Sequence, residues 1–465
     1  MVFLPVLVLL AFIIFYAILS ADAPGLLKFV LVFVEMIILT NILVRKYGFH
    51  SEMGCVLLKS KKGLLLIERL SGMEKLWNMF ADIGSFMSYG LLTFFLMKKK
   101  SLKAAVAGFF LLFVMMFLVA PFILPFLAYI IGFPIGAVSD SGTTAQAEST
   151  SAEPPFSIAN LIPMFFLISL IVGGAFLLLF FGLILQALII SQQTVDYVSG
   201  ISAVQPNAGA TFIIPGINLP FFEGIVALVV ILMVHEGAHA ILARIGKIRV
   251  LSTGLVLFGI IPVGAFVEPD EKGLKHLDRV RQSRVIVAGS TANFFTCILA
   301  FILLIGFIYF TQPFKESGLL VVAGMNESFI LKSVNGMDFT GDLSKYSKNG
   351  MELPKNSTVH FITNKGEMDV QTDANGKLGI MFIPLNNSFF LVAYSNVALQ
   401  FIYVTLGLIF VLNFAIGTMN MLPLPFFDGY RLLSINIKNK RIVFGLMVLT
   451  LLAFLLNLLP NLFMK

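Results

Sequence analysis

The sequence predicts an all-α polytopic membrane protein of about nine transmembrane helices, interrupted by a re-entrant β-hairpin and by a small β-rich module outside the cytoplasm. Three observations predict it. Hydrophobic residues fill 58% of the 465 positions and charged residues only 12%. Mean hydropathy is +0.95. Several runs exceed the roughly eighteen apolar residues that cross a bilayer as a helix.

Those runs fall at 2–20, 25–44, 79–97, 102–133, 160–191, 220–243, 285–310, 391–418 and 443–463. The first lacks a positively charged start and exceeds the usual signal h-region, so it reads as a retained span. The fourth and fifth are over-long. Pro121 and Pro125 should kink the fourth, and tilt should absorb the rest. These spans place an N-terminal membrane region at 1–210, with a flexible Ser/Thr/Ala/Glu-rich loop at 139–158. A central core follows at 211–311, a polar insert at 312–390, and closing spans at 391–465.

The net charge of +7 sits in loops and forms no nucleic-acid stripe, so no nucleic-acid partner is expected. Loops 45–78, 244–284 and 431–442 carry nineteen lysines and arginines against four at 98–103, which puts the former in the cytoplasm. The two cysteines, Cys55 and Cys297, suggest neither a disulfide framework nor a thiolate metal site.

Residues 250–267 are apolar, but Gly254, Gly259, Pro262 and Gly264 break helical register while Val, Ile and Phe favour extended structure. A β-hairpin is expected, with a kinked tenth span as the alternative. In the insert, 318–323, 358–363 and 379–384 read as strands, with Asn-Gly turns at Asn335-Gly336 and Asn349-Gly350. Sequons at Asn326, Asn356 and Asn386 fit an extracytoplasmic side.

The chemistry centres on His235-Glu236-Gly237-Ala238-His239, inside the sixth run. On a helix the two histidines lie one turn apart on one face, within reach of a single metal ion, and Glu236 lies beside the water that ion would carry. An ionisable group at membrane depth costs about 2.5–3.5 kcal/mol on insertion scales, so one without a use is rare. The alternative is a pair of buried, hydrogen-bonded histidines. A catalytic zinc site needs a third protein ligand. Asp428, in Asn420-Met-Leu-Pro-Leu-Pro-Phe-Phe-Asp428-Gly429, is the best acidic candidate near membrane depth, although those residue types also make an ordinary interfacial turn.

HEGAH on a core span and N-x-x-P-x-x-x-x-D-G on a late one resemble the site-2 protease family of intramembrane zinc metalloproteases. Phe212–Pro220, the Gly/Pro hairpin and Gly289-Ser-Thr-Ala-Asn293 resemble the family's surroundings, and Lys62–Leu70 is similar to its archaeal-type branch. The resemblance implies His235, His239 and Asp428 as Zn2+ ligands, Glu236 as general base, and Asn420 as a catalytic contact to substrate or oxyanion. Asn293, Gly264 and Asn420 are assigned to substrate binding, with helix–helix hydrogen bonding as the alternative for Asn293. The resemblance further implies a PDZ-like fold for 312–390 and an active site inside the bilayer, which the charge-based orientation puts near the cytoplasmic side. The implied substrates are transmembrane proteins already trimmed by another protease. The family often has Pro where this chain has Ser290, and a second glycine where it has Tyr430. Two other readings stay open: a CAAX-type membrane metalloprotease, whose third ligand is a glutamate on a later helix, and a non-enzymatic metal transporter or scaffold.

Overall fold

A run of apolar residues in hydrocarbon must satisfy its own backbone N–H and C=O groups, and a helix does so within one segment. The computed structural model describes residues 3–463, excepting 22–24, 53–54, 60, 98–100, 124–157, 202–205, 207–208, 210–214, 217–218, 260, 324–328, 340–353, 375, 377, 379 and 386–391. The chain begins with helices α1 (Phe3–Ser20) and α2 (Gly25–Tyr47), then strands β1 (His50–Glu52) and β2 (Cys55–Lys59). Next come α3 (Lys61–Ser71), α4 (Glu74–Tyr89), α5 (Leu92–Leu96), α6 (Leu102–Phe113), α7 (Ile158–Val198) and α8 (Phe221–Ile245). A hairpin of β3 (Val250–Phe258) and β4 (Ile261–Pro269) leads to α9 (Glu271–His276) and α10 (Arg279–Phe310). Strands β5 (Leu319–Ala323), β6 (Phe329–Val334), β7 (Met337–Asp338), β8 (Thr358–Thr363), β9 (Gly366–Gln371) and β10 (Met381–Pro384) follow. The chain closes with α11 (Val397–Met419), α12 (Asp428–Asn436) and α13 (Lys440–Phe463).

The protein is mostly helical, and among the described residues five helices are long and apolar enough to cross a membrane. These are Met164–Val198 within α7, then α8, α10, α11, and Lys440–Leu458 within α13. Two shorter apolar helical stretches are Pro5–Ile18 and Leu102–Phe117.

The run at 79–97 is two helices, α4 and α5, rather than one span. Gly90 breaks it at φ +51° and packs against Gly174, φ +60°, where α7 kinks. A Cβ on Gly90 would lie 2.4 Å from Ile171 O, and one on Gly174 2.5 Å from Met87 O, so neither position admits a side chain. The over-long fifth run is thus accommodated by a kink. At the end of α6 the chain passes through a π-helical turn (Val114–Val119) and a 3-10 turn (Ala120–Phe122) containing Pro121, which has no N–H to give. Pro125, the bulk of the 139–158 loop, Asn326, Asn386 and Asn349-Gly350 lie outside the described residues.

The first sheet has the order β1-β2-β3-β4, antiparallel throughout. Its β3–β4 hairpin stands where the sequence places it. The addition of β2 to β3, in the register Val56↔Leu257 and Leu58↔Leu255, is not in the sequence reading, where residues 50–59 fall within the 45–78 loop. One edge of the hairpin is therefore covered. The other, β4, has no strand partner among the described residues and packs along α8. From α2, Thr40 Oγ1 accepts from Gly259 N at 2.9 Å and Phe33 stacks on Phe258, fixing the hairpin tip.

The second sheet has the order β10-β5-β6-β8-β9, with β7 on β6. The alternating burial of β8, with Val359, Phe361 and Thr363 inward, is that of a sheet with one wet face. Asn335 (φ +47°) and Gly336 (φ +83°) make the tight turn expected between β6 and β7. By contacts the chain divides into two compact units, one of residues 1–115, 153–297 and 412–465, the other of 116–152 and 298–411.

Candidate metal centre

Helix α8 follows Pro220 as its N-cap and carries the pentad in its second half, so the 3.6-residue period stacks His235 and His239. Their Nε2 atoms are 3.1 Å apart. Asp428 is the first residue of α12 and arrives from 189 positions further along the chain than His239. The strap that returns it is closed by backbone hydrogen bonds: Leu422 N to Met419 O (2.9 Å), Phe427 N to Leu424 O (3.1 Å) and Gly429 N to Asn420 O (2.7 Å). Asp428 Oδ2 thereby lies 3.3 Å from His235 Nε2 and 3.2 Å from His239 Nε2. All three groups belong to the first unit.

These donors fit a zinc ion on three counts. With Zn–N and Zn–O bonds of about 2.0–2.1 Å, two ligands of a tetrahedral site stand roughly 3.3 Å apart, close to the separations here. Asp428 Oδ2 is buried and takes no hydrogen bond, although two ring nitrogens face it. A buried carboxylate oxygen left so is costly unless a cation meets it. The third count is space. A Cβ on Gly289 would lie 2.4 Å from His239 Nε2 and 2.5 Å from His235 Nε2, so the absent side chain leaves room where the nitrogens converge.

Hydrogen bonds set which nitrogen each ring offers. His239 Nδ1 donates to Val285 O at 2.7 Å, which leaves the Nε2 lone pair bare. His235 Nδ1 is 3.1 Å from the amide Nδ2 of Asn293, whose Oδ1 has no partner. Turning that amide over exchanges the two ends: Oδ1 then accepts from Nδ1–H, and His235 also presents a bare Nε2. Asn293 is fully buried at the back of His235, its amide against that ring's Nδ1. Asn420 Nδ2 stands 3.4 Å from His235 Nε2, on the front of the cluster. Glu236 is half-buried on the same turn of α8. Gly264 lies in β4 opposite Val256, beside an irregularity of register.

Two contributors have no role in the sequence reading, although Gly289 stands in its Gly289–Asn293 motif. The Val285 carbonyl carries no sequence signal at all. Gly289 had one, a glycine in mid-helix that costs about 1 kcal/mol relative to alanine, which calls for a packing reason. A cavity of about 890 Å3 lies between the first sheet and α12, lined by Leu57, Phe266, Glu268, Ile286, Tyr430 and Arg431 among others. Tyr430 is thus a cavity wall.

The chain matches the model of a protein family described as Peptidase family M50 over residues 223–456, which takes in the pentad, Asn293, Asn420 and Asp428. It is also similar to an uncharacterized protein of Methanocaldococcus jannaschii, 29% identical over 221 residues. That match covers 46% of this chain and 56% of the relative, so the chain spans about half the length of the relative it matches.

Proposed function

The chain belongs to peptidase family M50 and is an integral membrane protein with a metalloprotease domain, and from that premise we propose that it is a zinc endopeptidase cutting peptide bonds within transmembrane segments of other proteins. The observation that carries this reading is the convergence of His235 Nε2, His239 Nε2 and Asp428 Oδ2 on one point, on and beside spanning helices. Held by His235, His239 and Asp428, zinc would supply a Lewis acid for the scissile carbonyl and would acidify a water to a pKa of about 7. Glu236 would carry the proton, taking it from the attacking water and passing it to the leaving amine. Asn420 offers its amide N–H to the carbonyl oxygen as charge develops, and Val285 O and Asn293 hold the imidazoles in register. The ligand closing the cluster is an aspartate on the strap after α11, which favours this reading over a CAAX-type enzyme with its later glutamate.

A helical substrate hides its peptide bonds, so it must be drawn out to be cut. With β2 on the far edge of β3, the open edge of β4 is the one for an extended substrate to join by strand addition, with Gly264 on that strand. In this reading the hairpin re-enters the bilayer, and further helices bring the spans to about nine. The 319–384 sheet is a PDZ-like filter that excludes untrimmed substrates, and the cluster lies towards the cytoplasmic end of α8. The decisive test is cleavage of a membrane-spanning peptide by the purified chain, with and without a chelator, together with Glu236→Gln. The expected result is full zinc content and kcat about 10²–10⁴-fold lower in the variant. Wild-type turnover by Glu236→Gln, or by chelator-stripped protein, rejects the reading.

A further inference from the structure

We propose that α4, which lies outside the family-matched stretch, is part of the metal-site scaffold, with Asp82 and Tyr89 as positioning residues for the ligands; the proposal rests on the metal-site reading above. Two separate segments must be held still for the cluster to form. One is the start of α10, which supplies Val285 O, Gly289 and Asn293. The other is the strap 420–428, which supplies Asn420 and Asp428. Helix α4 grips both.

Its hold on α10 is a two-pronged ion pair. Arg284 Nε lies 2.9 Å from Asp82 Oδ1, and Arg284 Nη2 lies 3.1 Å from Asp82 Oδ2. Nη1 adds a third bond to Asn78 Oδ1 at 3.2 Å. Asp82 is buried and Arg284 largely so, and a planar fork on a planar carboxylate admits little sliding. Arg284 is the neighbour of Val285, so the pair fixes the height of the carbonyl that holds His239. Two residues further along α4 and seven further along α10, Gly84 lies against Thr291, between Gly289 and Asn293.

Its hold on the strap is a single phenol. Tyr89, 1% exposed, donates its O–H to Met421 O at 3.3 Å. Met421 follows Asn420, whose own carbonyl takes Gly429 N. The phenol therefore braces the turn that sets Asn420 and brings back Asp428. Asp82 and Tyr89 are seven residues apart on one helix, a rise of about 10.5 Å, so α4 spaces the two supports as one rigid rod.

Ordinary helix packing predicts only a loss of stability when these residues change. A positioning role predicts a change at the ligands. The test uses the full chain in detergent, with Tyr89→Phe as the principal variant because it removes one oxygen and keeps the ring. Tyr403→Phe is the control, another fully buried tyrosine, whose hydroxyl meets Val392 N at 3.4 Å in the other unit. The readouts are zinc affinity by chelator competition, the visible absorption of the cobalt(II)-substituted protein, and Tm. Tyr89→Phe is expected to weaken zinc binding about 10-fold and to shift the cobalt bands, with a Tm matching that of the control. Asp82→Asn should act in the same sense. Zinc affinity and cobalt bands in Tyr89→Phe equal to wild type overturn the proposal, whether or not the wild type cleaves peptides. A shift in Tyr89→Phe in a chain that binds zinc yet cleaves no peptide supports it while rejecting the protease reading. A wild type that binds no zinc ends both.

Discussion

Among the described residues histidine meets carboxylate twice, at His235, His239 and Asp428 in the helical core and at His360, Asp369 and Glu367 on the second sheet. On the sheet, His360 Nδ1 faces Asp369 Oδ1 at 2.8 Å while Nε2 faces Glu367 Oε2 at 3.5 Å. The two acids occupy opposite edges of one ring, so their oxygens share no focus, and all three side chains are exposed to water that screens them. In the core each group turns one atom to a common point, while Val285 and Asn293 occupy the outer edges of the rings. His235 and Asp428 are only 6% and 7% exposed there. Both clusters set imidazole against carboxylate. Convergence and burial make the difference, because charge withdrawn from water needs a partner and charge left in water does not.

The strongest way to break that comparison is to fill the point of convergence. Gly289→Ala should weaken zinc binding about 10–100-fold, as its Cβ would enter at 2.4 Å from His239 Nε2, and cleavage should fall with it. Gly336→Ala on the sheet meets open space at φ +83°, and should cost about 1 kcal/mol of stability with zinc untouched. Equal zinc affinity in Gly289→Ala, measured by chelator competition, would mean that the cluster is not a cradle.

A smaller effect concerns backbone strain. Both regions hold a non-glycine residue at positive φ: Asn335 at +47° in the β6–β7 turn and Phe426 at +72° on the strap beside Asp428. Asparagine visits that region readily; a bulky aromatic does not. Phe426 is also 96% exposed, so little packing rewards it. Phe426→Gly should therefore raise stability by about 1 kcal/mol, and Asn335→Gly by no more than a few tenths. A lower Tm for Phe426→Gly would show that the ring, not the strain, matters there.

The smallest effect is the pH response of the exposed cluster. The hydrogen bond to Asp369, chiefly, and the nearby charges hold the His360 pKa above its ordinary value. A raised folded pKa stabilises the protonated form: the contribution is whole below the unfolded value of about 6.5 and is lost as pH rises through the folded one. Hydrogen exchange of the β8–β9 amides should quicken across that window, and His360→Ala should flatten the response without changing zinc content or cleavage. An NMR midpoint for His360 at or below 6.5 would contradict this.

Much of the fold was legible because it is written locally. Apolar runs announced helices, Gly and Pro at 254–264 announced the hairpin, and Asn335-Gly336 announced the β6–β7 turn. The pentad spacing put His235 and His239 on one face before any tertiary contact was known. The break at Gly90 was hidden, since a glycine in an apolar run reads as tolerated until Gly174 is found packed against it. The β1–β2 addition was hidden too, because strands of three and five residues leave almost no period.

By itself, then, the sequence determined the helical membrane class, the two histidines with their glutamate, and the candidate third ligand. These depend on residue type and on periods of two or 3.6, which a chain carries wherever it lies. Only the tertiary structure decided that Asp428 reaches the histidines, that Gly289 leaves the space between them, that Asn293 stands behind His235, and that α4 touches both carriers. Those facts rest on contacts between residues tens to hundreds of positions apart, some through backbone carbonyls that every residue possesses and no sequence can single out.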